Sequence, residues 1–214
     1  MGSFVEIAIM GKSLKNGGYC VAGIEIHTNR WVRLVSSDEP SCGALFHPHM
    51  QYEDNSFCVP LDVVRVPFLR PYPHIYQPEN ILIDENKRWK KLGKISIYDL
   101  LRFHPPETHQ YLLGNLYPYI TATKVGSVGH SLILVEVTHL VITHPRERST
   151  KAEFFYQSTR YENISVTDPE YYSTTNNFRL ERAILIMSLP NNPYNDRYYK
   201  FIAKIYPLVD EAPF

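Results

Sequence analysis

Hydrophobic and polar residues alternate over the first forty positions of the chain, which is the pattern of β-strands that bury one face. In the first strand the alternation places Val5, Ile7 and Ile9 on the buried side, and in a third strand it places Val32 and Leu34 there. Short turns separate these segments, so the pattern predicts an antiparallel meander of three strands.

The second strand of the meander is predicted over residues 19–27. The turn before it, Lys15-Asn16-Gly17-Gly18, contains the Asn-Gly pair that closes tight hairpins, because both residues tolerate positive φ. The alternation predicts that four residues of this strand share one face: Cys20, Ala22, Ile24 and Ile26.

Sixteen prolines exclude long helices from most of the chain, and helices are predicted only near its middle. Ser96 is a candidate N-cap for a helix that carries Ile97 and Leu100 on one side and ends at Pro105-Pro106. A second short helix is predicted over residues 107–116.

The β-pattern returns after Gly129 and continues through the rest of the sequence. The strands predicted there cover residues 132–142, 154–157, 164–167, 178–189 and 198–208. The fold class is therefore mainly β. Its predicted organisation is a first β half at 1–94, a helical connector at 95–128 and a second β half at 129–214.

Composition and charge narrow the classes of partner. The chain has 22 basic and 22 acidic residues, which excludes a globally basic, histone-like protein but allows a local basic face. The chain has three cysteines, and an odd, small number of cysteines does not fit a secreted disulfide framework, since they cannot all pair within one chain. The longest apolar stretch, residues 184–189, is too short to span a bilayer, and the first residues lack a secretory signal pattern. We therefore expect a cytoplasmic protein without a membrane partner.

Short segments along most of the chain resemble the dual OB-containing domain family, a bacterial group taken to bind nucleic acid. The matching segments are Lys12 before a glycine turn, then 19–24, 30–33, 60–63, 77–80, 165–169, 188–189 and 199–203. The resemblance implies two OB-like Greek-key barrels joined by a short helical segment. Such barrels take up single-stranded nucleic acid or oligosaccharide on an open face and its loops. The implied partner is single-stranded DNA or RNA.

Binding of this kind needs aromatic and basic side chains on one outward face. If Val32 and Leu34 point inward, Trp31 and Arg33 point outward together, beside Tyr19 of the neighbouring strand. The rings would stack on bases and the guanidinium would pair with phosphate. The alternative is structural, with Trp31 packed in the interior and Arg33 in a salt bridge.

The last predicted strand and a basic run supply further cations. In residues 198–208, alternating tyrosines and lysines share one face, which fits a track for a polyanion or an ordinary solvated strand. The run at 87–91 encloses Trp89 and fits a phosphate-gripping loop or a charged turn equally well. The predicted nucleic-acid-binding residues are Lys12, Tyr19, Trp31, Arg33, Lys87, Arg88, Lys90, Lys91, Tyr198 and Lys200.

Metal binding and catalysis have little support in the sequence. Cys42, His47, His49 and Cys58 share one loop, but their spacing departs from that of zinc ligand pairs. There is no nucleophile elbow and no phosphate-cradling glycine loop. We therefore predict a non-catalytic nucleic-acid-binding module without metal or cofactor. The alternatives are a protein-interaction or regulatory module that works with a separate effector, and a small hydrolase or nuclease.

Overall fold

The computed structural model describes residues 3–147, 149–172 and 176–208, and the chain forms two compact units. The first unit comprises Met1–Pro105 with Gly129–Ser131, and the second comprises Pro106–Val128 with Leu132–Phe214. The segment predicted as a connector is thus divided between them, with residues 95–105 in the first unit and residues 106–128 in the second.

The first unit is built on six strands. They are β1 (Ser3–Lys15), β2 (Gly18–Glu25), β3 (Trp31–Val35), β4 (Asp62–Pro71), β5 (Asn80–Ile83) and β6 (Lys90–Lys94). β1, β2 and β3 pair antiparallel, which confirms the predicted meander, and β3 then pairs in parallel with β5. β4 pairs with both β5 and β1, so five strands close a ring, and β6 adds to β4.

The predicted Asn-Gly hairpin is confirmed at the turn from β1 to β2. Asn16 and Gly17 have φ of 45° and 78°, and Lys15 faces Gly18 across the turn. Both central residues therefore lie in the left-handed region, which matches the twist of the flanking strands.

The interior of the first barrel contains the predicted residues of β1 and β3. It also contains Val21 of β2 rather than the predicted face of Cys20, Ala22 and Ile24. Ala22 and Ile24 are nevertheless buried on the opposite face of that strand. Because β2 is buried on both faces, its hydrophobic pattern does not reveal which face is inside the barrel.

The first predicted helix is confirmed and the second prediction is wrong. α1 (Ile97–Phe103) begins after Ser96, whose Oγ accepts a hydrogen bond from the Asp99 amide at 3.0 Å. Residues 107–116 contain only the 3-10 turn Leu112–Gly114. The backbone of this segment bonds to the second barrel instead: the Leu112 amide donates to the Tyr161 hydroxyl at 3.1 Å.

The second unit repeats the same strand order. Its elements are β7 (Tyr119–Thr121), α2 (Ala122–Val125), β8 (Leu132–Arg146), β9 (Ser149–Tyr156), β10 (Thr159–Val166), α3 (Pro169–Tyr172), β11 (Phe178–Ser188), β12 (Arg197–Tyr199) and β13 (Phe201–Pro207). A closed barrel runs β10-β13-β11-β8-β9, and its third and fifth strands, β10 and β13, are parallel as in the first barrel. β7 and β12 form a separate two-stranded ribbon.

Each unit is therefore a five-stranded Greek-key barrel, as the fold prediction requires. In the described ranges of the chain, none of the helices has the length and apolar character that crossing a bilayer requires.

Candidate nucleic-acid interface

Arg33 does not lie on an open binding face, which corrects the prediction for β3. Its side chain is buried, and its guanidinium donates to Cys20 Sγ at 2.9 Å and to Ser131 Oγ at 2.6 Å. It also pairs with the Glu79 carboxylate at 3.4 Å. Arg33 does point away from the barrel interior, but the outer surface at β2 and β3 is itself buried. This buried network leaves the guanidinium out of reach of a phosphate.

Trp31, Tyr19 and Lys12 are half-buried and held by local contacts. The Trp31 ring meets His104 edge-on, with ring centroids 5.9 Å apart. Lys12 Nζ lies 4.6 Å from the centre of the Tyr19 ring and donates to the Cys58 carbonyl at 3.1 Å. Burial lowers the pKa of Lys12. Trp31 and Arg33 therefore do not form a shared exposed pair.

The basic run at 87–91 surrounds a fully buried Trp89. Lys87 pairs with Asp84 at 2.7 Å, and Lys91 pairs with the buried Asp62 at 2.6 Å. Arg88 is exposed and donates to the Asn55 side chain at 2.7 Å, and Lys90 is also exposed. Two of the four cations are thus neutralised by carboxylates, which leaves Arg88 and Lys90 as the more available charges.

The predicted outward track of tyrosines and lysines in residues 198–208 is wrong. Lys200 separates β12 from β13, so the segment is not one strand and its alternation is broken. All four residues of the predicted track are buried: Tyr198, Lys200, Lys204 and Tyr206. Tyr198 and Lys200 therefore cannot contact a ligand directly in this structure.

A different set of aromatic side chains, one exposed and two half-buried, clusters in the second unit. Tyr117 is 65% exposed and stacks on Tyr119, with ring centroids 6.1 Å apart and an interplanar angle of 23°. Tyr119 also contacts Tyr199 at 5.7 Å, and the Arg197 guanidinium lies 4.3 Å from the centre of the Tyr119 ring. We call Tyr117, Tyr119, Tyr199 and Arg197 the tyrosine platform.

The ribbon of β7 and β12 builds this platform. Tyr119 faces Tyr199 and Thr121 faces Arg197 in its register, so residues far apart in sequence share one surface. β12 lies within residues 189–200, which connect the fourth and fifth strands of the second barrel. The connection between strands 4 and 5 is one of the two loops with which OB barrels hold oligonucleotides and oligosaccharides.

Asn115 and Lys200 form hydrogen bonds that hold the backbone of the tyrosine platform. The Asn115 side chain accepts from the Tyr117 amide and donates to the Tyr119 carbonyl, each at 3.0 Å. Lys200 Nζ donates to the backbone and side-chain oxygens of Asn115 at 2.6 and 2.9 Å. Burial lowers the pKa of Lys200 to about 7.

Sequence reasoning missed the platform, although one signal of it was present. Tyr117-Pro118-Tyr119 places two rings on either side of a proline, which favours an extended backbone that holds both rings in one orientation. The pairing of this segment with β12 is a tertiary contact, and such a contact cannot be predicted from the local sequence pattern.

The corresponding connection of the first barrel, residues 72–79, has a different character. Arg70 lies 4.8 Å from the centre of the Tyr72 ring, which is partly exposed. Two aliphatic side chains in this part of the chain are exposed: Ile75 of the loop is 80% exposed, and Leu69 of β4 is 60% exposed. This loop therefore presents an exposed aliphatic side chain, Ile75, in addition to the ring of Tyr72.

An open cleft of about 730 Å³ in the first unit is acidic. His49 Nε2 lies 3.9 Å from Glu85 Oε2, and Glu85 also accepts a hydrogen bond from the Ser37 amide at 2.6 Å. The cleft is lined by Ser37, Asp38, Glu39, Pro40, Phe46, His49 and Glu85. Its three carboxylates repel phosphate, so a polyanion is not its ligand. The hydrolase alternative would place its histidine–carboxylate pair here.

Two five-stranded Greek-key barrels with the same strand order define a β protein of the tandem OB class. The chain belongs to the dual OB-containing domain family, whose profile matches residues 5–205. No curated protein matches the sequence.

Three solved structures match the chain at low similarity. The p204 HINb domain is 8% identical, with a TM-score of 0.42 over 97% of each chain. The tetrameric p202 HIN2 is 6% identical, with a TM-score of 0.35 over 98% of this chain and 96% of that one. A murine DNA-binding protein bound to double-stranded DNA is 6% identical, with a TM-score of 0.38 over 99% and 100%. These likenesses are too distant to indicate a function.

Proposed function

We propose that this protein is a non-catalytic nucleic-acid-binding module that prefers single strands and binds them at the tyrosine platform. The observation that carries the proposal is the stack of the exposed Tyr117 on the half-buried Tyr119, with Arg197 beside it on the connection between strands 4 and 5 of an OB barrel. Membership of a family with two OB barrels supports the same class of ligand.

The chemistry of the platform favours single strands. A flat ring can stack on a base only where the base is unstacked from its neighbour, and each such contact contributes about 1–3 kcal/mol. The Arg197 guanidinium is available both to a base face and to a phosphate. A duplex offers only its phosphates to such a surface, so we expect it to bind more weakly.

Replacing Tyr117 with alanine is expected to weaken binding of a labelled single-stranded oligonucleotide about tenfold, because one stacking ring is lost. Tyr117 is largely exposed, so its removal should leave folding intact. Fluorescence anisotropy at low salt measures the change in Kd. Tyr98→Ala removes a partly exposed tyrosine of α1 and is the matched control, with an expected change under twofold.

Two results would contradict the proposal. One is the absence of oligonucleotide binding by the wild-type protein at micromolar concentration and low salt. The other is an equal loss of affinity in Tyr117→Ala and Tyr98→Ala, since the platform would then make no specific contribution.

The basic run is expected to contribute only long-range or phosphate contacts. Replacing Arg88 and Lys90 together with alanine should lower affinity less than Tyr117→Ala does at 150 mM salt. If both residues contact phosphates, the slope of log K against log salt should fall by about 1.4, or about 0.7 per contact on a single strand. A titration at four salt concentrations measures this slope, and an unchanged slope would remove both residues from the interface.

A protein partner is the second candidate function, and two exposed aliphatic side chains of the first unit favour it. Ile75 and Leu69 expose aliphatic surface that nucleic acid does not use, whereas protein interfaces bury such side chains. An Ile75→Asp variant should leave oligonucleotide affinity unchanged. Loss of a protein complex in that variant, with oligonucleotide binding absent from the wild type, would favour the second function over the first.

A further inference from the structure

The lysine below the tyrosine platform has an unusual environment for a charged group. Lys200 is fully buried, and its Nζ donates hydrogen bonds to the two oxygens of Asn115. Among the described residues no carboxylate pairs with it. The titratable side chain that faces it is Tyr161 of β10, whose ring centre lies 5.8 Å from Nζ. Burial raises the pKa of Tyr161, so this neighbour is a neutral phenol that brings no negative charge.

We propose that Lys200 is a positioning residue for the tyrosine platform, and that it takes up a proton when a polyanion occupies that surface. This inference rests on the proposed function and adds a coupling between ligand binding and protonation.

The positioning role follows from an unbroken chain of hydrogen bonds. Lys200 Nζ holds both oxygens of Asn115, and the Asn115 side chain in turn bonds to the backbone of Tyr117 and Tyr119. A second bond fixes the same segment, since the Lys200 amide donates to the Pro118 carbonyl at 2.9 Å. Bonds from an ammonium are shorter and stronger than bonds from a neutral amine. The protonated form of Lys200 therefore holds the two rings more firmly.

The coupling follows from charge. A buried ammonium without a counterion is disfavoured, which is why burial lowers the pKa of Lys200 to about 7. Above that pH the free protein holds mostly the neutral amine. Phosphates on the platform supply the missing negative charge through a low-dielectric layer, so they favour the ammonium. Linkage is reciprocal, and the affinity for a polyanion should therefore fall as pH rises from 7 to 8.5.

Isothermal titration calorimetry at pH 8 tests the coupling with a short single-stranded oligonucleotide. Binding is measured in phosphate and in Tris, whose ionisation enthalpies differ, so that proton uptake appears as a buffer-dependent enthalpy. A lysine with a pKa of about 7 is roughly one-tenth protonated at pH 8, so we expect the wild type to take up a measurable fraction of a proton, up to about 0.9, per binding event. Lys200→Met should show almost none, while Lys124→Met, which removes an exposed lysine of α2, should keep the wild-type uptake.

A second variant keeps the test decisive if Lys200→Met folds poorly. Asn115→Asp places a carboxylate beside Nζ, so Lys200 is already protonated in the free protein and proton uptake at pH 8 should disappear. The variant also loses the amide donor to the Tyr119 carbonyl, so its affinity should fall and only its proton uptake and pH dependence are compared with those of the wild type. The affinity of this variant should also lose its dependence on pH between 7 and 8.5.

The outcomes separate the two proposals. Tight binding by the wild type with equal proton uptake in Lys200→Met would overturn the role of Lys200 and leave the proposed function standing. The role of Lys200 would also be overturned if an NMR titration of Lys200 Nζ in the free protein had a midpoint near that of an exposed lysine. Failure of the wild type to bind any oligonucleotide would overturn the proposed function and the coupling together.

Discussion

Replacing Arg33 with alanine is expected to lower the free energy of unfolding by about 3–5 kcal/mol, the usual cost of removing one partner of a buried ion pair. The Glu79 carboxylate would remain in a buried site without its guanidinium partner, and Cys20 Sγ and Ser131 Oγ would lose their donor. Urea unfolding followed by intrinsic fluorescence measures the change.

Arg102→Ala is the control for Arg33→Ala. Arg102 is 81% exposed and pairs with Asp99 one turn away on α1, so its loss should change stability by less than about 0.5 kcal/mol. Under conditions where Arg33→Ala is still folded, it should bind oligonucleotides as the wild type does. A variant of wild-type stability that had lost binding would instead restore Arg33 to an exposed interface.

The meander of the first barrel and most strands of the second can be predicted from the sequence, because hydrophobic residues recur there with a period of two, but β5 (Asn80–Ile83) was not predicted. The order of those strands is not visible in that pattern. In both barrels the third strand pairs in parallel with the fifth, β3 with β5 and β10 with β13, across long connections. The family resemblance supplied this topology, and local alternation did not.

Arg33 shows why site prediction was harder than fold prediction. The alternation of β3 correctly places Arg33 on the outer face of the barrel. A residue on the outer face can still be shielded from solvent by other parts of the chain. Glu79 and Ser131, its partners, come from other parts of the first unit, and neither is adjacent in sequence. A charge can be identified as buried only when the partner that neutralises it is known.

The wrong predictions near the end of the chain have a related cause. Residues 198–208 look like one alternating strand, but Lys200 is the junction at which β12 leaves its ribbon and β13 enters the barrel. The pairing partner changes from β7 to β11 at this point, so the faces on the two sides of the junction are unrelated. The helix predicted over 107–116 failed for a comparable reason, since tertiary hydrogen bonds replaced the helical ones.

The same argument about buried ion pairs predicts a large loss of stability when Asp168, in the turn between β10 and α3, is replaced. Asp168→Ala should destabilise the protein by about 3–5 kcal/mol, because it leaves Lys204 buried beside only one exposed carboxylate. The Asp168 carboxylate is 3.2 Å from Lys204 Nζ and accepts the Ile205 amide of β13 at 2.9 Å. It therefore joins the turn to the last strand of the second barrel. Chemical unfolding at neutral pH measures the loss.

Glu170 provides a matched comparison on the same lysine. Its carboxylate lies 2.6 Å from Lys204 Nζ, closer than that of Asp168, yet its side chain is 70% exposed. Glu170→Ala should therefore cost less than about 1 kcal/mol, since water replaces an exposed partner at little expense. Burial raises the pKa of Asp168 even with the ammonium nearby, so desolvation outweighs the attraction at this site. If Glu170→Ala proved as damaging as Asp168→Ala, distance rather than burial would determine the strength of these pairs, and the same reasoning would fail for Arg33.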